Sequence, residues 1–106
     1  MTTKRRYSIT ATTYDKRGRV IATGENSYVR THPVQAYYAT KANQQHRISL
    51  HAEISAIIRS RNREIHKIKI ERYDAAGNPK LGKPCPVCEL AIREAGIKFV
   101  EYTIGE

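Results

Sequence analysis

Three residues with metal-binding side chains, His51, Cys85 and Cys88, constrain this chain more than any other feature. They sit in two short runs, His51-Ala52-Glu53 and Pro84-Cys85-Pro86-Val87-Cys88, which are distant in sequence. A shared metal would force those two segments together in the fold. One imidazole and two thiolates suit a borderline-soft zinc ion at three corners of a tetrahedron. Three protein ligands leave the fourth position for water, which is the composition of a catalytic site rather than a structural one. Glu53 is a carboxylate that such a metal does not need, two residues from His51. Its position suits a proton shuttle.

A Cys-x-x-Cys pair by itself also fits half of a structural zinc site or a redox pair. Structural zinc normally takes four protein ligands, and beyond the three named residues the chain offers only His32, His46 and His66. His46 and His51 have H-x₄-H spacing, but the pair precedes the Cys-x-x-Cys run instead of following it as in a finger, and His32 and His66 fit no such spacing to His51. A redox pair would call for a strand before it and would leave His51 and Glu53 without a role. Catalytic zinc is therefore the reading that uses every residue of the two runs.

At 106 residues the chain has the size of one domain, 1–106, with one modest core. It has no apolar run long enough to span a membrane, and the charged Met1-Thr2-Thr3-Lys4-Arg5-Arg6 start leads directly into a strand pattern, not a signal peptide. Two cysteines at this spacing do not build a disulfide framework, and a thiolate site suits a reducing interior, so a cytoplasmic location is expected. The net charge is +9, with basic clusters at Lys4-Arg5-Arg6, Lys16-Arg17-Gly18-Arg19, 59–69 and 80–83. Such a surface favours polyanions or phosphorylated ligands. Part of it has a plainer origin: Arg59, Arg61 and Arg63 fall near a predicted helix C-terminus, where cations complement the dipole. Nucleic acid, a nucleotide phosphate and solvent all remain open as partners of the basic face.

The run Tyr7–Tyr14 is β-branched and aromatic, which predicts a strand. Asp15-Lys16-Arg17-Gly18 predicts a turn and Val20–Thr23 the returning strand of a hairpin. Pro33–Ala42 predicts a helix with Val34, Tyr37, Tyr38 and Lys41 on one face. After Ile48-Ser49-Leu50, a second helix is expected from His51 to about Arg61, with Ile54, Ile57 and Ile58 as its buried stripe. Ile65 to Tyr73 predicts a third strand, and Gly77-Asn78-Pro79 with Gly82 a loop. A third helix is expected from Cys85-Pro86 to Glu94, stopped by Gly96, and a last strand over Ile97–Ile104. That order implies a mixed sheet covered by helices. Cys85 falls at the N-cap or first turn of the third helix and Cys88 one turn along; the positive helix end favours thiolates, and Pro86 costs no intrahelical bond there.

From about Tyr7 to Tyr102 the H-A-E…P-C-x-x-C chain resembles the cytidine/deoxycytidylate deaminase superfamily, as a minimal-length member. The resemblance implies an α/β, three-layer cytidine-deaminase-like fold, a mixed β-sheet with helices on its faces. It departs from the family in having no room for the usual N-terminal helix before Tyr7 or for a later helix and strand after Glu106, and in placing the Pro33–Ala42 helix before His51. It implies zinc on His51, Cys85 and Cys88, with Glu53 protonating the ring nitrogen while zinc-activated water attacks the carbon that carries the amine. Asn26 would hydrogen-bond a sugar hydroxyl, and the backbone around Ala52 and Pro84 the edge of the base. As residue types, Asn26 equally fits a turn and Ala52 a small helix residue. Tyr102 stands where the family often has a pocket-lining aromatic, and Tyr28 and His32 follow Asn26 on a loop within reach of a phosphate or a base.

The expected activity is hydrolytic deamination of a cytosine nucleoside or nucleotide to the uracil product and ammonia, with a deoxycytidylate-like substrate favoured by the basic surface. An alternative keeps the chemistry but moves it to cytosine or adenine in single-stranded DNA or RNA. An alternative of another class is a non-catalytic, zinc-stabilised nucleic-acid-binding module, against which the intact Glu53 argues. The resemblance also implies a homo-oligomer.

Overall fold

The computed structural model describes residues 7–27, 31–43 and 50–105. Tyr28, His46, Ile48, Ser49 and the Lys4-Arg5-Arg6 cluster lie outside the described residues. Strands β1 (Tyr7–Tyr14) and β2 (Val20–Glu25) form the expected hairpin. Asp15 builds its turn, with Oδ1 accepting from the N–H groups of Arg17 and Arg19 at 2.9 Å each, and Gly18 supplying φ +78°.

Helix α1 (Pro33–Lys41) is capped by His32, whose Nδ1 accepts from Val34 N–H at 3.1 Å. That ring is engaged in starting a helix. The buried face of α1 is the expected one only in part, with Val34 and Tyr38 packed into the helix cluster. Tyr37 is exposed and Lys41 reaches out to Glu94, whereas Gln35 and Ala39 are buried. Apolar character alone pointed to Tyr37 as well; in its place the helix packs a small residue and an amide inward.

Helix α2 (Ala52–Arg59) begins one residue later than expected, with His51 as its extended N-cap, and stops at Ser60. Arg61 and Asn62 take φ of 50° and 65°, left-handed backbone that cannot continue a helix. Strand β3 (Lys67–Asp74) follows. The stretch expected to be a loop holds a two-residue strand β4 (Pro79–Lys80), because Asp74 Oδ1 accepts from Ala76 and Asn78 and turns the chain back onto β3. Helix α3 (Pro86–Glu94) has Cys85 as its N-cap, and β5 (Phe99–Tyr102) closes the order. Strand β5 is shorter than expected at both ends, and just beyond it Thr103 Oγ1 donates to Lys80 O at 2.6 Å.

The sheet runs β2-β1-β3, and the outer edge of β3 is shared by β5 along its first half and β4 along its second. Only β5 is parallel to its neighbour, reached by the α3 crossover. Residue alternation separates the two faces. Ala11, Thr13, Ile68 and Ile70 point to one and are buried, while their strand neighbours Thr12, Lys69 and Glu71 stay partly or fully exposed on the other. The buried face takes Ala52 and Ala56 of α2 together with Ile92 and Ile97 of the α3 segment. A second cluster joins the three helices through Ala39, Ile54, Val87, Cys88 and Ala91. Among the described residues the helices thus lie on one side of the sheet: α2 and α3 on the strands, α1 against both. No helix among them is long and apolar enough to cross a membrane.

Candidate metal centre

The two metal-binding runs meet because α2 and α3 pack side by side with their starts at the same end. Both N-cap residues are extended, His51 at φ −84°, ψ 154° and Cys85 at φ −72°, ψ 169°, and neither side chain turns back to cap its own helix. The side chains converge instead. His51 Nδ1 lies 3.2 Å from Cys88 Sγ and 3.5 Å from Cys85 Sγ, and the three candidate ligand atoms all fall within 4.8 Å of one another. Zinc bonds of about 2.3 Å to sulfur and 2.0–2.1 Å to nitrogen at tetrahedral angles place N and S roughly 3.5 Å apart. The observed N–S separations are close to that spacing.

The electrostatics of the cluster are those of a thiol pair sharing one proton. The Cys85 thiol is held down to about 3 by the hydrogen bond from Cys88, reinforced by His51. Cys88 is pushed upward, first by that same bond to Cys85 and then by burial. A divalent cation between the sulfurs would keep both as thiolates. Glu53 projects from the first turn of α2 and is 6 % exposed. Burial raises its carboxyl above the usual carboxylate range, with His51 opposing the rise.

The remaining residues expected at the site are placed as follows. Ala52 is fully buried under β2, and Pro84 is buried immediately before Cys85. Asn26 is buried at the end of β2; its backbone donates to Ile9 O at 3.2 Å and its Oδ1 accepts from Ile9 N–H at 3.1 Å. The next residue, Ser27, donates from its backbone to Leu50 O at 2.9 Å, which ties the Asn26 segment to the residue preceding His51. Tyr102 lines a groove of about 450 Å³ between α3 and β5, together with Lys83, Pro84, Ile92, Arg93 and Val100. Of the expected site residues, Pro84 and Tyr102 border that groove.

One residue at the site has no signal in the sequence. Gln35 of α1 is fully buried, and its Oε1 accepts from His51 N–H at 3.1 Å. A glutamine in a helix of mixed polarity reads as surface until the packing is known.

No curated protein matches the chain. The model of the cytidine and deoxycytidylate deaminase zinc-binding region matches residues 1–104. A His, Cys, Cys cluster at two adjoining helix starts beside a buried glutamate, under a mixed five-stranded sheet, accords with that match, and the chain belongs to the cytidine and deoxycytidylate deaminase zinc-binding family.

Proposed function

We propose that the chain is a zinc-dependent hydrolytic deaminase acting on a cytosine nucleoside or nucleotide, releasing ammonia and the uracil product. The observation that carries this reading is a carboxylate buried next to three convergent ligand atoms, a group that a purely structural zinc site has no use for. His51, Cys85 and Cys88 would hold the metal. Zinc, when bound there, supplies a Lewis acid that brings the pKa of a coordinated water to about 7.

Glu53 accepts one proton from the attacking water and delivers it to the ring nitrogen, then takes the proton left on the added hydroxyl and delivers it to the departing amine as the C–N bond breaks and the carbonyl forms. Its place on the first turn of a helix anchored to the sheet keeps the carboxylate at a fixed distance from the reacting carbon. Asn26 Oδ1 is held by Ile9 N–H, so its amide NH₂ is turned the other way and is available as a donor to a sugar hydroxyl. The backbone at Ala52 and Pro84 borders the base. The net charge of +9 supports a phosphorylated, deoxycytidylate-like substrate.

A second reading, deamination within single-stranded nucleic acid, draws support from the groove beside Pro84. Lys83 and Arg93 offer phosphate contacts there, and Tyr102 a stacking face. Ammonia release measured over nucleosides, nucleotides and oligonucleotides, alongside zinc content, separates the readings. Activity on mononucleotides supports the first, activity confined to oligonucleotides the second. Zinc bound without any ammonia release favours a non-catalytic module.

A further inference from the structure

We infer that Gln35, on the helix that precedes the metal-bearing segments, is a positioning residue that fixes His51 for metal binding. The inference rests on the assignment of His51, Cys85 and Cys88 as the zinc ligands. His51 must hold its ring toward the two sulfurs from a non-helical N-cap position, so its backbone must be held in place.

Three bonds supply that restraint. Leu50 O is bonded by Ser27 N–H at 2.9 Å and His51 O by Ser55 N–H at 2.9 Å. His51 N–H is bonded by Gln35 Oε1 at 3.1 Å, and this is the one of the three made by a side chain. The N-cap residue is thereby fixed from before, behind and within.

Burial makes the choice of residue informative. Gln35 is 0 % exposed, in a helix whose Val34, Tyr38, Ala39 and Ala42 pack against Ile54, Val87, Cys88 and Ala91. An aliphatic residue of similar volume would fill that space without the desolvation cost of an amide. The amide is stabilising there only through the hydrogen bonds it makes. Because α1 also packs against Cys88 and reaches α3 through the 2.6 Å Lys41–Glu94 ion pair, it touches both metal-bearing helices at once. A residue that orients a metal ligand through its hydrogen bonding acts on metal affinity, typically by 10–100-fold.

The test compares two variants of the same length. Gln35→Met keeps the packing and removes the acceptor, whereas Gln35→Glu keeps the acceptor. Zinc affinity is read by competition with a chromogenic chelator, and ligand geometry by the visible bands of the cobalt(II)-substituted protein. Gln35→Met should bind zinc about 10–100-fold more weakly, with shifted cobalt bands. Gln35→Glu should stay within a few fold of the wild type. If Gln35→Met does not fold, Gln35→Asn, which draws the acceptor back by one methylene, takes its place. Wild-type zinc affinity and cobalt bands in the acceptor-deficient variant overturn the inference, as does equal weakening in both variants. A wild-type chain that binds no zinc would instead refute the ligand assignment itself.

Discussion

Gly24 of β2 and Ala52 of α2 meet backbone against backbone: a Cβ on Gly24 would stand 2.6 Å from Ala52 O and 2.4 Å from Ala56 N. The metal-bearing helix therefore rests directly on the sheet at Gly24. Gly24→Ala should push α2 off β2 and destabilise the chain by about 1–3 kcal/mol, the usual range for overpacking. Since the displaced turn carries Glu53 and adjoins His51, zinc affinity should fall with stability. Denaturant unfolding beside a zinc titration checks both effects.

Asn26 serves the fold through its oxygen and, in the proposed function, the substrate through its nitrogen. Asn26→Asp keeps the acceptor for Ile9 N–H. It should melt near the wild type while KM for a nucleoside rises roughly tenfold, the loss of about one hydrogen bond. Asn26→Ala should add a stability loss of about 1 kcal/mol, because Ile9 N–H loses its partner. Thermal melts paired with steady-state kinetics distinguish the two effects.

Zinc that binds the folded chain and not the unfolded one stabilises it by mass action, by about 2.7 kcal/mol at a free concentration a hundredfold above Kd. Chelation should therefore lower the melting temperature, and restored zinc should recover it. His51→Ala should melt low and respond to neither treatment. A melting curve indifferent to chelator in the wild type would refute metal binding at this cluster.

The end of the chain leaves Phe99, Val100, Tyr102 and Ile104 exposed on and beside the edge strand β5. Apolar edges of this kind are ordinarily covered. A homo-oligomer is the expected state, and light scattering at micromolar concentration should give a dimer or larger. A monomer mass would contradict it.

Much of this fold is legible in residue order because its punctuation is strong. Asp15 and Gly18 announce the hairpin, Pro33 and Pro86 the helix starts, and the His51 and Cys85 runs demand that two of those starts meet. Where tertiary contacts decide, the sequence is silent. Arg61 carries no mark of the left-handed turn that ends α2, although Asn62 beside it is a residue type that tolerates such backbone, and β4 exists only because Asp74 folds the chain back onto β3. The inward side of α1 is hidden for a further reason: an exposed tyrosine and a buried glutamine reverse the polarity that periodicity relies on.

Glu53→Gln tests the central claim most directly. The amide keeps the size of the side chain and its place on α2 but cannot accept the proton. Zinc content should remain at one per chain while ammonia release falls by about 10²–10⁴-fold or more, the scale of a general acid–base contribution. A Glu53→Gln chain that retains both its zinc and near-wild-type turnover would contradict the account.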